Sequence, residues 1–378
     1  MEKILNISLY RTWLEIKKSL IKKNIKNIKK IISGDKLFLA VVKGNGWGYG
    51  TIPYAKCIIE AGVDWLGVTN IEDALSLRRE KINLPILLLC EIPSGRIKEA
   101  IKNKLRFTVC TKEFAEQLSV EAIKLGLKAN VHIKINTGLN RIGVSLNGVL
   151  IFLKHVSSLS NLYLEGAFSH FSYAEKIGNK ETKQQLKIFQ EQIKKAKQMG
   201  IIFDILHIAS TAASLSLPET HLDMVRIGMG IAGLYPSDDF KKIIKLYFSL
   251  SWKTYISYVR NVMKGETVGY SNQYRCSHIT TIVTIPVGYA DGLSKELSGK
   301  GFVLIRGNYH KIVAVCMDQA MIDLQEIRND FKIGEEVVIL GKQQKNYLDP
   351  EIIADQIGTC AEELTCKINP KIPRIFME

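Results

Sequence analysis

Residues 37–70 read LFLAVVKGNGWGYGTIPYAKCIIEAGVDWLGVTN. An apolar run, LFLAVV, stops at Lys43. Glycines follow at 44, 46, 48 and 50, Thr51–Gly62 reads as a helix, and a second apolar run, WLGVTN, begins at Trp65. Strand, glycine turn, helix and strand in this order is the repeating unit of a parallel α/β architecture, because parallel neighbours need a crossover of about a dozen residues or more.

The unit recurs downstream. LPILLLC (84–90), RFTVC (106–110), ANVHIKIN (129–136), LEGAFSHF (164–171), ILHIAS (205–210) and MVRIGMG (224–230) complete eight strand candidates, with helix-like stretches at Ile71–Lys81, Thr111–Leu125 and Lys180–Met199. Eight such units predict a (β/α)8 TIM-like barrel. After Gly233 the pattern changes. LYFSLSWKTYISYVRNV, HITTIVTIPVGYA, GFVLIRGNYHKIVAV and EEVVILG are strand-like and separated by turn residues, with one late helix from about Asp349 to Thr365. The expected division is a barrel over 10–236 and a mostly-β C-terminal domain over 237–378, with residues 1–9 packing on the latter.

Composition is that of an ordinary globular chain: 378 residues, 46% apolar and 24% charged. The net charge of +15 raises a nucleic-acid or membrane reading. Much of the excess lies in IKKSLIKKNIKNIKKII (16–32), where Ile16, Leu20, Ile21, Ile25, Ile28, Ile31 and Ile32, with Trp13 just before them, recur at helical spacing. Such a segment is read as a packed helix whose lysines snorkel into solvent. No nucleic-acid motif accompanies it, and no apolar run reaches the ~18 residues of a spanning helix. The start MEKILNISLYRTW is too short and polar for a secretory signal, and the seven cysteines form no CxxC pair, so a reducing cytoplasm without a zinc site is expected.

In such barrels the chemistry sits where strands end. The first strand ends at Lys43, where apolar surroundings favour the free amine, although a lone lysine there also reads as a surface cap. The last ends Arg226-Ile-Gly228-Met229-Gly230, whose backbone amides suit a phosphate. GMGIAG is not a Rossmann fingerprint, since it comes late and no acidic residue follows about 20 positions on. His207, Ser210 and Thr211 end the seventh strand, His170 the sixth, and Arg141 follows the fifth. Each histidine alone also reads as a core residue. Together, a lysine, a phosphate cradle, two histidines and two arginines describe a pyridoxal-phosphate site.

The likeness then becomes specific. The chain resembles the alanine racemase family of barrel-type pyridoxal-phosphate enzymes, with similarity to racemase domains of the serine racemase type. Arg11-Thr-Trp13-Leu-Glu15-Ile, VVKGNGWGYG, HIKINTGLNRIGV, Gly269-Tyr270, IPVGYADGL and VAVCMDQAMIDL match the family's signatures in order along nearly the whole chain. The resemblance implies an isomerase that interconverts L- and D-alanine for cell-wall peptidoglycan. It implies pyridoxal 5'-phosphate carried on Lys43, Lys43 and Tyr270 as bases on opposite faces, and a homodimer in which Tyr270 serves the partner's barrel. It further implies Arg226 at the pyridine nitrogen, oriented by His207; His170 at the ring; Trp47, Thr211, Gly228 and Met229 around the phosphate; and Arg141 and Met317 on the substrate carboxylate. Tyr289 matches a tyrosine at the site mouth, and Asp318 follows Met317 in its motif. Lys134 occupies a position carbamylated in several relatives.

Four positions depart from the family pattern, one of them Tyr49, which stands where the family has a histidine. Trp47 replaces a tyrosine, Thr211 a serine, and Glu362, in IGTCAEELTC, a tyrosine that narrows the substrate pocket. Glu362 either reaches into that pocket, shifting preference to serine or a basic amino acid, or turns away and leaves alanine as substrate. A non-catalytic pyridoxal-phosphate-binding protein would keep Lys43 but has no use for Tyr270.

Overall fold

The computed structural model describes residues 9–32 and 34–378. The chain forms two compact units. One comprises 21–46 and 51–247, the other the described residues up to Leu20 together with 47–50 and 248–378. The first strand, β1 (Thr12–Lys17), belongs to the latter.

The other unit holds β2 (Leu37–Val41), β3 (Trp65–Val68), β4 (Ile86–Leu88), β5 (Arg106–Val109), β6 (Ala129–Lys134), β7 (Leu162–Phe168), β8 (Ile205–His207) and β9 (Met224–Ile227). All eight are parallel, in the order β9-β2-β3-β4-β5-β6-β7-β8. The Asp223 amide donates to the Leu206 carbonyl (3.0 Å) and the Arg226 amide to that of Ala209 (3.1 Å), joining the two edges as a barrel requires. Each strand falls on one of the eight expected runs.

Helices Thr51–Glu60, Ile71–Arg79, Lys112–Leu125 and Lys180–Gln198 also lie where expected. Their starts are chemically marked. Asn70 Oδ1 accepts from the Asp73 amide (2.7 Å) and Thr111 Oγ1 from that of Phe114 (3.3 Å), satisfying amides that a helix start leaves over. Helices Ile97–Lys102 and Val149–Ser158 complete further crossovers. Leu39, Trp65, Leu87, Ile205 and Met224 form a buried cluster of strand side chains, each contributing about 1.5–3 kcal/mol by leaving water.

Strand β7 contains an irregularity that matters below. Val131 pairs with Leu164 but His132 with Gly166, so Glu165 is an extra residue in the ladder. Such a bulge breaks the alternation and re-aims a side chain.

In the second unit the sheet runs 258–262, 280–285, 320–323, 308–315, 302–305, 336–343, 250–255, β1 and 374–377. β1 pairs antiparallel with Leu250–Tyr255 and parallel with Arg374–Met377. This differs from the division at 236/237 in three ways: the described residues from 10 to 20 and residues 47–50 join the β-rich unit, and 237–247 stay with the barrel. The helical stripe drawn through Trp13 and Ile16 ran past its element, because both lie in β1 and the helix begins at Lys18. That helix buries Ile21, Asn24, Ile25 and Ile28, while Lys23, Lys26, Lys29 and Lys30 are exposed. The late helix is two, Pro350–Gln356 and Ala361–Lys367, separated at Gly358, whose φ of +71° no right-handed helix accepts. The expected packing of residues 1–9 lies, apart from Leu9, outside the described residues. No helix among the described residues is long and apolar enough to cross a membrane.

Candidate active site

Arg226 ends β9 and is buried. Its Nη1 donates to His207 Nδ1 (2.9 Å), and its Nη2 to the carbonyls of Ser169 (2.8 Å) and Ile208 (3.0 Å) and to His170 Nδ1 (3.0 Å). The Nε–H has no acceptor among the described residues. Burial first, then the charge of Arg141, pulls this guanidinium down to about 9, so it remains a cation at neutral pH. Burial and then Arg226 push both His207 and His170 well below the ordinary histidine range. Both rings are therefore neutral acceptors toward the arginine.

Lys43 follows β2, and its charge reaches His170. The backbone after it runs left-handed: φ is +59° at Gly44, +53° at Asn45, +59° at Gly46 and +59° at Trp47. Glycines at alternate positions make this turn affordable, while Asn45 and Trp47 each carry a strain of about 1–2 kcal/mol. Asn45 Oδ1 accepts from the Thr51 amide at the next helix start (3.3 Å). Trp47 is buried and groups with the β-rich unit. Within that unit a Cβ on Gly48 would stand 2.1 Å from the Thr365 carbonyl oxygen, so the last helix approaches this turn only because residue 48 has no side chain.

Thr211 is buried at the start of the turn Thr211–Ser216, and its Oγ1 accepts from the Gly228 amide (3.1 Å). The hydroxyl hydrogen is thereby left for another acceptor. Gly228 precedes the single turn Met229–Ala232, so two chain segments present their leading amides from adjoining positions. Gly230 lets them approach, since a Cβ there would lie 2.8 Å from Thr211 Cγ2.

Lys134 ends β6, buried, with Nζ 4.3 Å from the centre of the Phe168 ring, over which the Arg226 guanidinium also lies at 5.3 Å. Burial, then Arg226 and Arg141, lower its ammonium to about 7. No carboxylate among the described residues pairs with it. Arg141 itself is exposed, in the loop after β6.

The remaining expected residues belong to the β-rich unit. Tyr270 is 78% exposed. It stands on a turn between Gly269 (φ +83°) and the left-handed Ser271 and Asn272 (φ +56° and +53°). Tyr289 and Met317 are brought together, the Tyr289 amide donating to the Cys316 carbonyl (3.0 Å) and that of Ala290 to Met317 (2.9 Å). Both side chains are exposed. The Asp318 carbonyl accepts from Arg11 Nη1 (3.4 Å). Glu362 lies in the first turn of Ala361–Lys367, half-buried. Burial first, and then the charge of Glu362, raise the Cys360 thiol, while the Glu362 carbonyl accepts from Thr365 Oγ1 (3.1 Å).

Sequence reasoning gave no role to His132, Glu165, Ser169 or Phe168. Phe168 stacks on His207 with ring centres 4.7 Å apart, and His132 Nδ1 lies 2.9 Å from His207 Nε2. The signal for His132 was its place two residues before Lys134 on the same face of β6. Glu165 carried none, because strict alternation in β7 would turn it the other way.

Comparison with known proteins agrees with this architecture. The family model for the alanine racemase N-terminal domain matches residues 16–236, and that for the alanine racemase C-terminal domain residues 249–376. An alanine racemase of Caldanaerobacter subterraneus is 35% identical over 368 residues, which is 97% of this chain and 95% of that protein. The solved alanine racemase of Clostridium difficile 630 superposes with a TM-score of 0.92 at 33% identity, covering 98% of this chain and 96% of the other. A histidine racemase of Leuconostoc mesenteroides reaches 0.88 at 25% identity, with 97% and 98% covered. With both domains matched in order and relatives similar along nearly their whole length, the chain belongs to the alanine racemase family.

Proposed function

We propose that this protein is a pyridoxal-phosphate-dependent alanine racemase, and the observation that carries the reading is the donor set of Arg226. Its Nη groups are committed to protein acceptors, and its remaining Nε–H suits a ring nitrogen that accepts. The Thr211 hydroxyl and the leading amides at Met229 suit a phosphate, so the residues fit the cofactor. When bound, pyridoxal phosphate supplies the electron-withdrawing ring that makes the α-proton of an amino acid removable.

The chain's own groups then divide the work. Lys43 would hold the cofactor and, as a free amine, would take or return a proton at Nζ. Tyr270 does the same at its phenol oxygen from the opposite face, because inversion needs removal on one side and delivery on the other. Arg226, a cation with its Nε–H available, would donate to the ring nitrogen and disfavour a proton there, which suits proton return over side reactions. Arg141 and the Met317 amide bind the substrate carboxylate. Tyr270, Tyr289 and Met317, exposed on the β-rich unit, are assigned to cover the barrel of a second copy in a homodimer. Glu362, an acidic residue in the first turn of Ala361–Lys367, where a carboxylate complements the leading amides, is assigned to that helix start and away from the substrate, which favours alanine over serine or a basic amino acid.

Purified protein loaded with the cofactor is expected to be yellow, to racemise L-alanine in a chiral assay and, after borohydride treatment, to carry the pyridoxyl group on Lys43 by peptide mapping. Attachment with no racemisation of any common amino acid would instead identify a cofactor-binding protein. Glu362→Tyr is expected to leave alanine the preferred substrate. A change in ranking between alanine and serine, measured as kcat/KM for each, would place Glu362 in the pocket.

A further inference from the structure

Behind Arg226 lies a chain of groups that the reading above does not use. His207 Nε2 is 2.9 Å from His132 Nδ1, and His132 Nε2 is 3.1 Å from Glu165 Oε2. Asn130 Nδ2 donates to Glu165 Oε1 (2.7 Å), and Arg106 Nε lies 3.4 Å from Oε2. His132 and His207 are fully enclosed, with Trp65 edge-on to His132 at 5.7 Å.

The direction of every bond is fixed by chemistry at the two ends. A guanidinium can only donate, so His207 Nδ1 must accept from Arg226. A neutral ring with Nδ1 bare carries its proton on Nε2, which then donates to His132 Nδ1. The same logic puts the proton of His132 on Nε2, where it meets the carboxylate of Glu165. A carboxylate can only accept, so the two ends agree and the chain has one self-consistent arrangement.

The local backbone is shaped for it. The bulge turns Glu165 onto the side of β7 that faces His132. Gly166, opposite His132 in register, leaves room for the ring, since a Cβ there would stand 2.4 Å from His132 Nδ1. Burial lowers His132 and keeps it neutral, while Glu165, although burial raises it, is held below the ordinary carboxylate value by the hydrogen bond from His132 and by Arg106.

We propose that Glu165 and His132 are positioning residues that act through His207, fixing the proton on Nε2 of both rings and thereby holding the Arg226 guanidinium in one orientation with its Nε–H left uncommitted. The arrangement explains how a buried arginine is balanced without a carboxylate touching it. Glu165 is two imidazole rings away, so its pull reaches Nη1 through polarised hydrogen bonds and does not compete for Nε. A carboxylate directly on the guanidinium would change the one donor on which the proposed role of Arg226 depends.

The proposal rests on the racemase reading for its catalytic consequence, but its core is testable without activity. In the 15N-histidine-labelled holoenzyme, ring-nitrogen NMR should show His132 and His207 as neutral Nε2–H tautomers at neutral and mildly alkaline pH, because burial lowers both. Loss of one signal set in His132→Gln assigns them. An Nδ1–H tautomer or an imidazolium at either ring overturns the proposal, whether or not the protein racemises alanine. Glu165→Gln keeps size and fold while weakening the terminal acceptor. It is expected to shift the His207 Nδ1 resonance and to lower kcat about 10- to 100-fold with KM within about twofold, the scale on which outer partners orient site groups. A fall in kcat with the His207 resonance unmoved would mark a general structural role and overturn the relay, as would no change in either. Should Glu165→Gln fail to fold, the wild-type tautomers still decide.

Discussion

Tyr270→Phe is expected to stop racemisation while sparing half of its proton chemistry. The substitution removes one hydroxyl from a side chain that is 78% exposed, on a turn set by Gly269, Ser271 and Asn272, so it costs the fold little. General acid–base catalysis by a placed group contributes typically about 10²- to 10⁴-fold, and kcat should fall within that range in both directions, since each direction needs both bases. Exchange of the α-proton is the finer test. With Lys43 intact, the enantiomer whose α-proton faces the lysine should still exchange with D2O, followed by the loss of its NMR signal. The other enantiomer should exchange slowly. Loss of exchange from both at once, or turnover within tenfold of the parent, would remove Tyr270 from the role of second base.

The barrel could be read from the sequence because its strands are short apolar runs separated by helices with chemically marked starts, such as Asn70 and Thr111. Lys43, His207 and Arg226 could be found because a barrel puts chemistry where strands end. The errors have equally local causes. β1 sits directly before a helix, and Trp13 and Ile16 satisfy the helical spacing by coincidence, so only its pairing with Leu250–Tyr255 and Arg374–Met377 reveals a strand. Pairing between residues hundreds of positions apart leaves no mark in a local window. Gly358 splits the last helix through a positive φ that a single glycine does not announce. Glu165 was invisible because a bulge is a property of two strands in register, not of either one. What sequence shows least well is therefore what depends on register, and the inward face of β7 depends on it entirely.

Lys134→Met is expected to stabilise the protein at neutral pH and to flatten its dependence on alkali. The ammonium of Lys134 is lowered from 10.5 to about 7, first by burial and then by Arg226 and Arg141. A basic group whose folded value is depressed destabilises fully below that value, where both folded and unfolded chains are protonated. The penalty is relieved as pH rises from about 7 toward 10.5, because there the unfolded chain binds the proton that the folded one has lost. At 1.36 kcal/mol per unit, the full penalty is on the order of 5 kcal/mol. Methionine keeps the length of the stem and the packing against Phe168 while removing the charge. Denaturation measured between pH 6 and about 10 should therefore show stability rising with pH in the parent and staying nearly level in Lys134→Met. Parallel curves for the two proteins would sink the assignment. Carbamylation offers the parent another escape, since a neutral amine adds CO2 and releases a proton to solvent, and the resulting carbamate anion would face Arg141 and Arg226 instead of repelling them. Bicarbonate should accordingly raise the melting temperature of the parent at pH 8 and leave Lys134→Met unmoved, and intact-protein mass under non-acidic conditions should gain one CO2 only where Lys134 is present.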